Sequence, residues 1–99
     1  MGEVVNLNTN FSWPESPPWP SQDWWEVDGA RRGMSPELVR FTAALAQLGG
    51  AESGKNTVAA KLAGIDCNRT QAFRHARSVA VRELLNEAEK IKSPVIVAV

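Results

Sequence analysis

Residues 68–85, NRTQAFRHARSVAVRELL, carry the clearest helical signature in the chain. Asn68 has the side chain of a helix N-cap, and Gln71 lies three residues on, where a capping box puts its reciprocal partner. At about 100° per residue, Phe73, Ala76, Ala80 and Leu84 share one stripe, with Ala72 and Val79 at its edge. Gln71, Arg74, His75, Ser78 and Arg82 gather on the opposite side. Such side chains reach base edges and phosphates, and no acid stands between Asp66 and Glu83. The plainer reading is an amphipathic helix with a solvated basic face. What lies upstream favours a nucleic acid.

The formal charge of the 99 residues is zero, but it is unevenly spread. Residues 1–28 hold five acids and no Lys or Arg, so residues 29–99 hold eleven bases against six acids, a balance of +5. A basic body behind an acidic arm suits a polyanionic partner. The length allows one small domain with a modest core. A single cysteine, Cys67, forms no internal disulfide or zinc cluster and fits a cytoplasmic setting, with a buried structural thiol as its expected role. There is no membrane-length apolar run and no signal-peptide pattern.

Outward from that stretch, Ser35-Pro36-Glu37 is a strong helix start, with a cap, a proline at the first helical position and an acid against the dipole. Leu38, Phe41, Ala44, Leu45 and Leu48 continue at helical spacing until Gly49-Gly50. A short helix fits Thr57 to Ala63, with Val58, Ala59 and Leu62 inward and Gly64 as its stop. After a turn at Asp66-Cys67-Asn68, the third helix is expected to run unbroken to Lys92. Helices two and three, joined by a short glycine-containing turn, make a helix-turn-helix pattern.

Residues 49–55, GGAESGK, match the start of a phosphate-cradling P-loop, but Asn56 replaces its Ser or Thr and a helix precedes it in place of a strand. Lys55, Asn56 and Thr57 are instead expected at the N-terminus of the second helix, where free N–H groups and the dipole attract phosphate. His75, the one histidine, is flanked by Arg74 and Arg77 and not by carboxylates, so no catalytic, metal or cofactor site is expected. In the arm, residues 14–25 (PESPPWPSQDWW) hold four prolines and three tryptophans, and predict an extended path. Trp19, Trp24 and Trp25 either fold back over the core or form a docking motif for another protein. Val5 to Trp13 alternate like a strand, and the continuous apolar run Pro94 to Val99 is also strand-like.

Phe41-x-x-Ala44-Leu45-Ala46-x-x-Gly49, Thr57-Val58-Ala59-Ala60-x-x-Ala63-Gly64-Ile65 and Ala72-Phe73-Arg74-His75 together resemble the helix-turn-helix of phage terminase small subunits. The resemblance spans about residues 35–92. It implies a domain that marks viral DNA for packaging, works in the bacterial cytoplasm, assembles into oligomers and serves a large terminase ATPase subunit. This chain has a longer first turn and two extra residues, Asp66 and Cys67, before the third helix. Val81, Leu84, Ala88 and Ile91 form a short seam suited either to the core or to self-association.

The resulting expectation is an all-α protein with a three-helix helix-turn-helix core (35–92), an extended acidic Trp/Pro-rich arm (1–34) and an apolar tail (93–99), its termini strand-like. Its partner is double-stranded DNA, and its function non-enzymatic. Gln71, Arg74, His75 and Ser78 face bases; Lys55, Thr57, Lys61, Arg69, Arg77 and Arg82 hold phosphates. A transcription regulator using the same helix, and an adaptor or inhibitor acting through the tryptophans, remain the alternatives.

Overall fold

The computed structural model describes residues 11–14, 19–50 and 52–92, and these contain five helices and no strand. They are α1 (Gln22–Arg31), α2 (Pro36–Gln47), α3 (Asn56–Ala63), α4 (Arg69–Arg77) and α5 (Val79–Lys92). The strand-like runs at residues 5–10 and 94–99 lie outside the described residues, and Phe11 to Trp13 are not in a strand.

Helix α2 is the centre of the molecule. Ser35 Oγ accepts from the Leu38 amide at 3.2 Å and Pro36 fills the first position, where a missing N–H costs nothing. Every residue from Phe41 to Ala46 is buried, as expected of a helix covered on several sides, and α1, α3 and α5 all pack on it. Thr42, its one buried polar residue, returns its hydroxyl proton to Leu38 O at 2.9 Å. Gly49, at φ +113°, ends the helix in a conformation that side chains disfavour, and the Gly50 amide closes back on Leu45 O at 2.8 Å.

The arm is not extended throughout. Residues 22–31 form α1, because the proline run stops at Pro20 and Ser21 then caps a proline-free stretch, its Oγ accepting from the Trp24 amide at 3.4 Å. Trp25 projects from α1 into the core and is 0 % exposed. Trp24 meets it edge-on at 5.3 Å between ring centroids, and Trp19 lies 6.3 Å away on a tilt. Trp19 and Trp24 are partly buried against the same core. The tryptophans therefore fold back, and Trp25 has no surface left with which to dock a partner.

Helix α1 also approaches α2 closely, since a Cβ on Gly29 would overlap the Cγ2 methyl of Val39. Arg32, just past α1, pairs with Asp28 at 3.0 Å and reaches Glu83 of α5 at 3.8 Å. The acidic segment is thus built into the helical body through α1, and residues 35–92 do not pack alone. Further toward the N-terminus, Phe11 and Trp13 meet edge-on at 5.0 Å, and Gln47 Nε2 donates to Ser12 O at 3.0 Å.

The expected long third helix is two helices. Ser78 has ψ 150°, an extended backbone that ends α4, and its Oγ accepts from the Val81 amide at 3.3 Å. The hydroxyl that interrupts one helix caps the next. In α5, Val81, Leu84, Leu85 and Ala88 are buried in the core while Ile91 is exposed, so the apolar seam is spent mostly inside the molecule. No helix among the described residues is long and apolar enough to cross a membrane.

Candidate nucleic-acid interface

Helices α3 and α4 are joined by the turn 64–68 and pack on each other. Gly64, at φ +83°, terminates α3, and the Ile65 amide donates to Ala60 O at 2.9 Å. Asn68 then starts α4 with the full capping box: Asn68 Oδ1 accepts from the Gln71 amide at 2.9 Å, and Gln71 Oε1 accepts from the Asn68 amide at 3.1 Å. The pair buries only alanines, Ala59, Ala60 and Ala63 from α3 and Ala72 and Ala76 from α4. Val58, expected inward, is exposed; Ala60 and Ala63 take the inner face of α3 instead.

With Ala72 and Ala76 marking the inner side of α4, its outer residues divide into two flanks. Arg69, Phe73 and Arg77, four residues apart, share one flank. Gln71 and His75 share the other, and Thr70 and Arg74 lie between them. Phe73, expected in the core, is 51 % exposed, because the small alanines already fill the contact with the body. The Arg77 guanidinium lies over its ring, 5.3 Å from the centroid.

The Phe73 flank is one wall of a groove of about 960 Å³. The other wall is the start of α3, with Asn56 and Thr57, and Arg82 from the first turn of α5 completes the lining. Four expected phosphate contacts, Thr57, Arg69, Arg77 and Arg82, therefore converge there. Glu52 is the one acid in the lining, against three arginines. No ion pair among the described residues engages Arg69, Arg74, Arg77 or Arg82, so four guanidinium charges stand uncompensated along α4 and the start of α5. Lys55 and Lys61 are exposed outside the groove.

No side chain caps the first turn of α3, which leaves its amides to another acceptor, and Asn56 Oδ1 is buried there without a hydrogen-bond partner. Lys55 contributes its backbone as the residue before the helix, its amide donating to Ser53 Oγ at 3.1 Å. Gly49 and Gly50 of the P-loop-like run are spent in ending α2, and a helix precedes them.

The four expected base-facing residues separate. Arg74 is exposed. Gln71 is exposed too, with its carbonyl oxygen engaged in the capping box. His75 is half-buried, its ring edge-on to buried Phe41 at 6.0 Å. Ser78 is half-buried between the two helices, where its backbone ends α4 and its hydroxyl accepts from the Val81 amide that opens α5. The groove also takes in Phe73, expected on the apolar stripe, and Thr70, which the sequence does not single out. The spacing Arg69-x-x-x-Phe73-x-x-x-Arg77 was the available signal, since it sets an aromatic between two cations on one flank.

Cys67 is only partly buried. That burial, and then the neighbouring Asp66 carboxylate, push its thiol above the ordinary range, which favours the protonated form over a nucleophilic thiolate. Among the described residues no three His, Cys, Asp or Glu side chains cluster as metal ligands would. No family model, curated protein or solved structure matches the chain.

Proposed function

We propose that this chain is a DNA-binding domain in which α3, the turn 64–68 and α4 act as a helix-turn-helix. The observation that carries the reading is the set of four unpaired arginines, Arg69, Arg74, Arg77 and Arg82, exposed around one short helix and the start of the next. Like charges on one surface without carboxylates repel one another, and a phosphate backbone relieves that repulsion while releasing its own counterions. In this reading α4 enters the major groove of double-stranded DNA with Arg74 and Gln71 toward base edges. Arg69, Arg77 and Arg82 hold the flanking phosphates. The resemblance of residues 35–92 to phage terminase small subunits gives the proposal a specific form, marking of viral DNA for a large ATPase subunit.

Fluorescence anisotropy on mixed-sequence duplex DNA over a series of salt concentrations tests it. Three phosphate-holding arginines predict a slope of about −3 in log affinity against log salt, and Arg82→Ala should reduce its magnitude by about 1. Arg74→Ala should lower discrimination between sequences more than it changes that slope. Absence of duplex binding at low salt, or a slope unchanged in Arg82→Ala, would refute the assignment.

A further inference from the structure

A clamp for the phosphates of a duplex needs cations and amides; it has no use for a phenyl ring. Phe73 nonetheless lines the groove, half exposed, between Arg69 and Arg77 on the same flank of α4. The exposed Arg77 guanidinium lies over it at 5.3 Å, a loose contact that a stacking base can displace, and Arg82 lines the same cavity from α5. Nothing in the core calls for the ring, because Ala72 and Ala76 already make the contact with the body. An apolar surface kept in water beside three cations fits a ligand that offers negative charge and a flat π face together.

Double-stranded DNA does not offer both, since its base faces are closed in the stack and only edges are reachable. A single strand does, with one phosphate per nucleotide and a free face on each base. Resting on the proposal that this side of the molecule binds DNA, we infer that the groove between α3 and α4 holds a single DNA strand with one base stacked on Phe73. Its phosphates lie on Arg69, Arg77 and Arg82. The cavity of about 960 Å³ is at the upper end of the size range for small-ligand sites, enough for a nucleotide with its neighbouring phosphates. Glu52 lines the α3 end and repels phosphate, which directs the backbone toward the arginines of α4 and α5. The strand is one that has left the duplex, at an end, a bulge or an opened segment.

A short oligothymidylate tests the site, with an abasic strand of equal length to supply phosphates without bases and a blunt duplex as the third probe. Oligothymidylate should bind the full chain and compete with the duplex. Phe73→Leu keeps the apolar bulk and removes the π face. It should weaken oligothymidylate binding on the order of tenfold, leave the abasic strand and the duplex within about twofold, and be rescued by Phe73→Trp. Because Phe73 is half exposed, unchanged circular dichroism and melting should accompany the loss. The inference is overturned if oligothymidylate does not compete, or if Phe73→Leu weakens the abasic strand equally. A wild-type chain that binds the duplex and not the single strand refutes this inference alone; one that binds neither refutes the DNA-binding proposal with it.

Discussion

The two sides of the molecule are held together by different means. On one, α1, α2 and α5 interlock through Trp25, Phe41, Leu45, Val81 and Leu84, all fully buried, with Gly29 leaving room for the Val39 side chain and Arg32 tying α1 to α5. On the other, α3 and α4 fully bury only alanines, with Leu62 and Ile65 partly buried beside them, and are shaped by local devices, a left-handed glycine that ends α3 and a capping box that opens α4. Large side chains contribute to stability in proportion to the apolar area they bury, and alanine buries little. The molecule therefore concentrates cohesion in one set of helices and offers its uncompensated charge on the other. Groups left unsatisfied at one surface cost stability, and cohesion elsewhere in the molecule makes that tolerable.

The largest expected effect lies on the cohesive side. Trp25→Ala removes the biggest buried side chain at the α1–α2–α5 junction and should cost about 3–5 kcal/mol in chemical denaturation. If the loss is under about 1 kcal/mol, α1 is an appendage and the contrast between the sides fails. Next, Gly29→Ala drives a methyl into Val39, a stiff β-branched neighbour that is itself buried. Overpacking outweighs the gain in helix propensity, for a net destabilisation of about 1–2 kcal/mol by thermal melting. A more stable Gly29→Ala variant would show that α1 can slide on α2.

The smallest effect sharpens the comparison. Asn68→Ala removes half of the capping box and should cost about 1 kcal/mol. If the two sides open separately, hydrogen exchange will quicken in α3 and α4 while the amides of α2 keep their protection. Uniform acceleration in all five helices would mean a single cooperative unit.

Much of this architecture was legible before the structure, wherever a residue acts through its own backbone. Ser35-Pro36, Gly49-Gly50, Gly64 and the Asn68–Gln71 box each declare a helix end by local chemistry, and each helix end is found where they put it. Failures came where tertiary context chose between local options. Ser21 was hidden by the prolines before it, so α1 was missed. Ser78 looked like one more polar residue on a helical face, although a serine followed by a fresh apolar run is also a cap. The periodicity that puts Phe73 on a stripe with Ala80 and Leu84 assumes one continuous helix, and it fails because the helix ends at Ser78. The basic residues were legible as charge, but the convergence of Arg69, Arg77 and Arg82 on one groove was not, because it depends on how α3 and α5 meet α4.

That last dependence gives Ser78 a consequence out of proportion to its size. Had the helix continued through it, Arg82 would project beside Gln71 and His75, away from Arg69 and Arg77. The one extended residue re-aims the following segment, so that a positive charge written on one flank in the sequence is delivered to the other in space. The electrostatic shape of this face is therefore set by a backbone angle as much as by which side chains are present, and a straightened variant with all its arginines intact would present a different surface.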